Sequence, residues 1–247
     1  MNKLMTGVLL LVAASTANAA SGATVELDHI QTDVTNIPAL QRGAKYYVNY
    51  CQGCHSIKYL RYTRLMKDLE LTEAQLQENM IFSGAKASTM MTTAMRPVDS
   101  TQFFGTPAPD LSLVARARGT DWVYTYLRSF YPDDSRPTGW NNTRFKDVSM
   151  PNPLWELQGT RAPLYETHID ARGDKVKVHV GWDQLSEGLM SEQALDQVVQ
   201  DLTVFLEYAS EPAKIKRKSI GIWVMLYLAF FTLLAYLLKV NYWRDIH

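Results

Sequence analysis

The chain has 247 residues, and its 25 Lys and Arg are balanced by 25 Asp and Glu, leaving no formal net charge. That length holds one sizeable domain with appendages. The charge balance argues against bulk nucleic-acid binding, which needs a basic excess or stripe.

Residues 1–19 read as a secretory signal. Lys3 supplies a positive start, Gly7 to Ala14 a short apolar run, and Ala17-Asn18-Ala19 small residues at the cleavage positions. The run is too short to cross a bilayer. A soluble domain is expected over 20–213. Its first helix is predicted from Pro38 to Tyr50, with Pro38 in the first turn and Leu40, Ala44, Tyr47 and Val48 at helical spacing.

That helix delivers Cys51-Gln52-Gly53-Cys54-His55. Two thiols three positions apart can each add across one vinyl group of a porphyrin, and the histidine that follows can then ligate the iron from below. The motif reads as the attachment site of one c-type haem. A zinc site would need further ligands at finger-like spacing, and a redox dithiol would sit in a βαβ context. If both cysteines form thioethers, none is left for a structural disulfide. Export agrees with this reading, because bacteria attach c-type haem outside the cytoplasmic membrane.

Beyond the motif, Tyr59 to Leu69 is expected to continue as helix. Thr72 with Gln75 forms a capping box for a helix to about Phe82. Ser83 to Pro109 reads as loop. Asp110 or Ser112 is expected to cap a short helix carrying Arg116 and Arg118. Thr120 and Asp121 begin another, with Val123, Leu127 and Phe130 on one face and Pro132 as its stop. Asp133 to Asn142 is turn-rich, and Met150-Pro151-Asn152-Pro153 is loop. Tyr165 to Ile169 and Val176 to Val180 alternate across Ala171-Arg172-Gly173-Asp174, which predicts a hairpin standing away from the core. Ser191 caps the last soluble helix, whose stripe is Leu195, Val198, Val199, Leu202, Phe205, Leu206 and Ala209.

Residues 214–218 form a basic segment before Ser219 to Leu238, which carries no charge and matches a hydrocarbon core of about 30 Å as one transmembrane helix. Residues 239–247 form the tail. Lys214, Lys216, Arg217 and Lys218 precede the span, against Lys239 and Arg244 after it. Counted alone, these charges would place the large domain in the cytoplasm. The signal and the haem motif require the opposite, and a domain already being exported meets the span as a stop-transfer segment. The resulting picture is a periplasmic domain on a bacterial inner membrane, with the bilayer itself as one partner.

An iron held by His55 has one axial position left. A methionine sulfur would close it and raise its potential. Met95 and Met150, both in Pro-containing loops, stand level on spacing; Met80, Met90 and Met91 are weaker, and His29, His168 or His179 would give bis-histidine ligation.

At this point the chain resembles the cytochrome c1 family, the haem-bearing subunits of ubiquinol–cytochrome c oxidoreductase. The resemblance rests on Arg42-Gly43, Cys-x-x-Cys-His-Ser at 51–56, Met95-Arg96-Pro97, Pro109-Asp110-Leu111-Ser112 and Arg116-Ala117-Arg118. Pro137-Thr138-Gly139 and Glu211-Pro212 before the basic stretch complete it. It implies a mainly α c-type cytochrome domain with long loops and a small β-hairpin, plus the C-terminal helix. It also implies Met150 as the sixth ligand and Arg118 at a haem propionate, where a guanidinium pairs bidentately. The link between Arg96 and Asp110 is shorter than in mitochondrial members. The family's activity is one-electron transfer from a Rieske iron–sulfur protein to a cytochrome c, beside cytochrome b, with no bond chemistry by the subunit itself. An anchored haem subunit of a terminal oxidase, or an open-haem enzyme or sensor, is the alternative.

Overall fold

A computed structural model describes residues 27–169 and 173–244; the expected signal lies outside them. In chain order the elements are α1 (Ile37–Tyr50), β1 (Ile57–Arg61), α2 (Tyr62–Asp68), α3 (Glu73–Met80), β2 (Met90–Met91), α4 (Pro97–Phe104), α5 (Val114–Arg118), α6 (Thr120–Leu127), β3 (Phe130–Pro132), β4 (Trp140–Asn142), α7 (Trp155–Gln158), β5 (Gly159–Ile169), β6 (Lys175–Glu187), α8 (Glu192–Ser210) and α9 (Lys214–Trp243). The protein is mainly helical. Its strands pair as antiparallel ribbons β1–β2, β3–β4 and β5–β6.

The core is organised by α1 packed across α8. Asn36 starts α1 by accepting the Ala39 N–H, and Ser191 starts α8 by accepting the Ala194 N–H. The whole stripe expected on α8 is buried, as are Leu40, Ala44, Tyr47 and Val48 on α1. Gly43 sits at the crossing. A Cβ there would stand 2.1 Å from the Asp201 carbonyl oxygen and 2.7 Å from Phe205 Cβ, so only hydrogen lets the backbones approach this closely. One residue earlier, Arg42 grips Asp201 with Nε at 2.6 Å and Nη2 at 2.9 Å, and Gln197 adds a bond of 3.0 Å. Asp201 is only 1% exposed, so its carboxylate depends on these donors. Phe205 then lies against Tyr47, centroids 5.5 Å apart.

Several local expectations change. Residues 59–61 belong to strand β1, because the N–H groups of Lys58 and Tyr59 are taken sideways by Asp110 Oδ2 and Ser112 Oγ while the strand pairs with Met90 and Met91. Asp110 and Ser112 therefore do not cap α5, which follows Leu113 without a side-chain cap. The Ser83–Pro109 stretch is not all loop: it holds β2 and also α4, which has Pro97 in its first turn and ends at Gly105 with φ 77°. Helix α6 stops at Leu127, and Phe130 is buried from strand β3, which pairs with β4 inside the turn-rich stretch. The capping box of α3 has both of its halves, Thr72 with Gln75.

The hairpin is longer than its alternation suggests, running from Gly159 opposite Glu187 to Ile169 opposite Lys175. Its base is fixed by Gly159, whose φ is 73° and where a Cβ would stand 2.1 Å from the Ser186 carbonyl oxygen, so no side chain fits. Buried Arg161 helps hold it, lying over Trp182 at 3.9 Å and donating to the Arg128 carbonyl. Farther out, Tyr165, Ile169, Val176 and Val178 are exposed, so the hairpin is an excursion from the core.

Helix α9 contains a 24-residue apolar stretch, Ile220–Trp243, none of it buried in the chain. At about 1.5 Å per residue it spans about 36 Å, enough for a hydrocarbon core with some tilt. Before it, Lys214 pairs with Glu207 and Arg217 with Glu211.

The helix crossing sets a direct test. Gly43→Ala is expected to lower stability by about 1–3 kcal/mol, since the clash is with backbone and no side chain can swing away. Guanidinium unfolding followed by circular dichroism measures it; an unchanged midpoint would mean that α1 and α8 do not cross at this residue.

Candidate haem site

The motif is an extension of α1. Cys51 and Gln52 both donate to the Tyr47 carbonyl, and His55 N–H reaches back to the Cys51 carbonyl at 2.8 Å, so Cys51, Cys54 and His55 share a single turn. Tyr47, fully buried, donates its hydroxyl to the His55 carbonyl at 2.7 Å. Ser56 is held from both sides: its carbonyl accepts from Leu111 N–H and its hydroxyl from Thr93 N–H.

The imidazole of His55 is 7% exposed and lies 2.7 Å through Nδ1 from the Pro109 carbonyl oxygen. A carbonyl can only accept, so Nδ1 carries the proton. Nε2 keeps its lone pair and has no hydrogen-bond partner among the described residues. Burial pushes this imidazole below its ordinary range, opposed by the Pro109 bond and the nearby Asp110 charge. A neutral ring, oriented by a backbone carbonyl and offering one nitrogen, is the arrangement a metal-ligating histidine requires.

Cys51 and Cys54 form no disulfide. Burial, with a smaller contribution from Cys54, pushes Cys51 up to about 12, and burial also raises Cys54. A catalytic dithiol needs the reverse shift, so these sulfurs are poor thiolates and their environment does not favour redox exchange.

Met150 approaches from another part of the chain. Asn142 on β4 donates to the Tyr126 carbonyl at 2.9 Å, and its Oδ1 accepts from the Arg144 and Phe145 N–H groups. Asn152, 2% exposed, accepts the Leu154 N–H and fixes the loop just after Met150. The Tyr126 hydroxyl lies 3.5 Å from Met150 Sδ. Tyr126 in turn stacks on Trp122 (centroids 4.9 Å, 10°), over which the exposed Arg118 guanidinium rests at 5.1 Å. Arg118 and Met150 are thus joined through two rings of α6. The same stretch begins at Pro109, which holds His55.

Met95 has a different setting. Its N–H donates to Thr93 Oγ1, which itself donates to the Gly53 carbonyl at 2.7 Å, tying Met95 to the attachment turn. Met80 and Met91 are core residues. His29 pairs with Asp121 at 2.6 Å, and His168 and His179 stand on the hairpin. Tyr126 is not among Val123, Leu127 and Phe130, the face expected of this helix, and nothing in the sequence pattern marks it as a neighbour of Met150.

Two thiols, one unengaged imidazole nitrogen and a thioether form a donor set suited to a covalently attached haem, whose edge Cys51 and Cys54 would hold and whose iron His55 would ligate. Tyr47→Phe isolates the support beneath the motif. It keeps the ring against Phe205 but leaves a buried carbonyl unpaired, at an expected cost of about 1–3 kcal/mol. A denaturant titration read by visible absorption checks this; equal midpoints would show that the hydroxyl contributes nothing.

Comparison with known proteins agrees with the geometry. Residues 29–246 match the model of the Cytochrome C1 family. Cytochrome c1 of Allochromatium vinosum is 46% identical over 247 residues, covering 100% of both chains. The ammonia monooxygenase gamma subunit of Nitrosomonas europaea is 40% identical over 92% of each chain. Cytochrome c1 of Rhodospirillum rubrum is 24% identical over 85% of this chain and 82% of its own. A match over nearly the whole described chain, on a mainly helical domain with one C-terminal apolar helix, places this protein in the cytochrome c1 family, whose members are electron-transport proteins carrying one covalently bound haem c.

Proposed function

We propose that this protein carries single electrons from a Rieske iron–sulfur protein to a cytochrome c, as the haem subunit of a ubiquinol–cytochrome c oxidoreductase alongside cytochrome b. Bound haem supplies one iron that gains and loses one electron. The chain supplies the rest: Cys51 and Cys54 as thioether donors, His55 and Met150 as axial ligands, and Arg118 as the cation for a propionate.

The observation that carries this reading is the Pro109–Tyr126 stretch, which orients His55 at one end and contacts Met150 at the other. Two axial ligands must approach an iron from opposite faces. Met95 is tied to the turn that already provides His55, whereas Met150 hangs from the separate α6–β4 framework, which supports Met150 as the second ligand. An iron closed by two protein ligands passes electrons without binding substrate, which favours a carrier over an open-haem enzyme.

The topology in this reading is a signal over 1–19, a periplasmic haem domain over 20–213, a basic segment over 214–218, a span beginning at 219 and a cytoplasmic tail from 239. The helix itself continues past Leu238 to Trp243, so the first residues of the tail are helical. The basic residues before the span do not decide the orientation, because a long exported domain translocates largely regardless of charge.

Isolation of the detergent-solubilised complex tests the assignment. Partners carrying b-type haem and a Rieske cluster are expected. A copper-containing oxidase core, or monooxygenase subunits of the kind the Nitrosomonas relative's name denotes, would overturn it. For topology, protease added outside spheroplasts should degrade the haem domain and spare the tail; a protected haem domain would reverse the orientation.

A further inference from the structure

The established chemistry of the family requires a haem, two thioethers and axial ligands; it does not require anything of residue 126. Yet Tyr126 is built into this site with some care. Its ring is half of a parallel stack with Trp122 and meets Phe130 edge-on at 5.2 Å, and its carbonyl is fixed by Asn142. The side chain therefore has little freedom to place its hydroxyl elsewhere. That hydroxyl has one hydrogen-bond partner among the described residues, the Met150 sulfur at 3.5 Å, a length suited to a large, weakly accepting atom. A phenol keeps its proton at physiological pH, so the hydroxyl is available to donate.

We propose that Tyr126 is a positioning residue that sets the potential of the haem iron by donating its hydroxyl proton to the Met150 thioether. The inference rests on the reading of Met150 as the sixth ligand. A thioether sulfur has two lone pairs, one for iron and one free for a hydrogen bond. Donation to the free pair draws electron density from sulfur and weakens its support of the metal. The ferric state carries the greater charge and loses more by this than the ferrous state, so the bond raises the reduction potential. Hydrogen bonding to a metal's ligands is a general lever on potential, and residues behind the ligands also hold them in orientation. The stacked Trp122 and Phe130 supply that second role, since they aim the hydroxyl, and through it the sulfur.

The test uses the full-length, haem-loaded protein and two readouts: the long-wavelength sulfur-to-iron charge-transfer band of the oxidised form and the midpoint potential from redox titration. Met150→Leu should abolish the band; if the band survives, the ligand reading fails and this inference falls with it. With that established, Tyr126→Phe keeps the stacked ring and removes only the hydroxyl. The band should persist at a shifted position, or weaken, and the equilibrium for reduction should fall by between about threefold and tenfold, tenfold being about 59 mV for one electron. Site-specific 3-fluorotyrosine at 126, a stronger donor of the same shape, should move the potential upward. Opposite shifts from the two replacements cannot come from a general loosening of the fold, and the fluorinated residue serves alone if the Phe variant does not mature. A band and a potential unchanged by either replacement, in protein that has lost the band on Met150→Leu, would overturn the role of Tyr126 while leaving the ligand in place.

Discussion

The structure depends on how closely α1 can lie across α8. Gly43 permits contact with the backbone at Asp201, and Arg42 locks the crossing by neutralising a carboxylate that has almost no water. Everything concerning the haem motif is downstream of that crossing. The last turn of α1 is the platform for Cys51, and Tyr47, pressed against Phe205 of α8, reaches forward to hold the His55 carbonyl. A shift of the two helices would therefore move the attachment turn as well as cost packing.

Around this frame the chain makes a clamp from a single stretch. Pro109 has no N–H to contribute, but its carbonyl orients His55. Asp110 and Ser112 tie the same segment to β1, and Leu111 bonds the Ser56 carbonyl. One short helix later, Tyr126, stacked on Trp122, brings its hydroxyl to Met150 Sδ. His55 and Met150 lie far apart in sequence, yet each is contacted by a residue of the 109–126 stretch, Pro109 at one end and Tyr126 at the other.

Much of this was legible in the sequence, for physical reasons that differ by element. The attachment motif is local chemistry, so Cys51, Cys54 and His55 could be read directly. The α8 stripe and the Thr72–Gln75 box are periodic or local signals, and both appear as expected. The errors arose where side chains served distant backbone. Asp110 and Ser112 resemble helix caps, but their oxygens are used by Lys58 and Tyr59, some fifty residues away, which turns expected helix into strand. Phe130 has the spacing of the α6 face and is buried as that predicts, though from a strand. Spacing leaves Met95 and Met150 level, and their settings differ only through contacts distant in sequence: Met95 is tied through Thr93 to Gly53, and Met150 Sδ meets the Tyr126 hydroxyl.

The tether adds a constraint of its own. A helix with this much apolar surface and none of it covered by the chain belongs in a bilayer, and at its soluble end Lys214 pairs with Glu207 of α8 and Arg217 with Glu211 just beyond it. If the haem is bonded to the polypeptide through the turn at the end of α1, it stays with the chain after denaturation. Denaturing electrophoresis with a haem peroxidase stain should then show colour coincident with the chain, lost when Cys51 and Cys54 are both replaced by Ala; a colourless wild-type band, or a double variant that still stains, would show that the bond is not there.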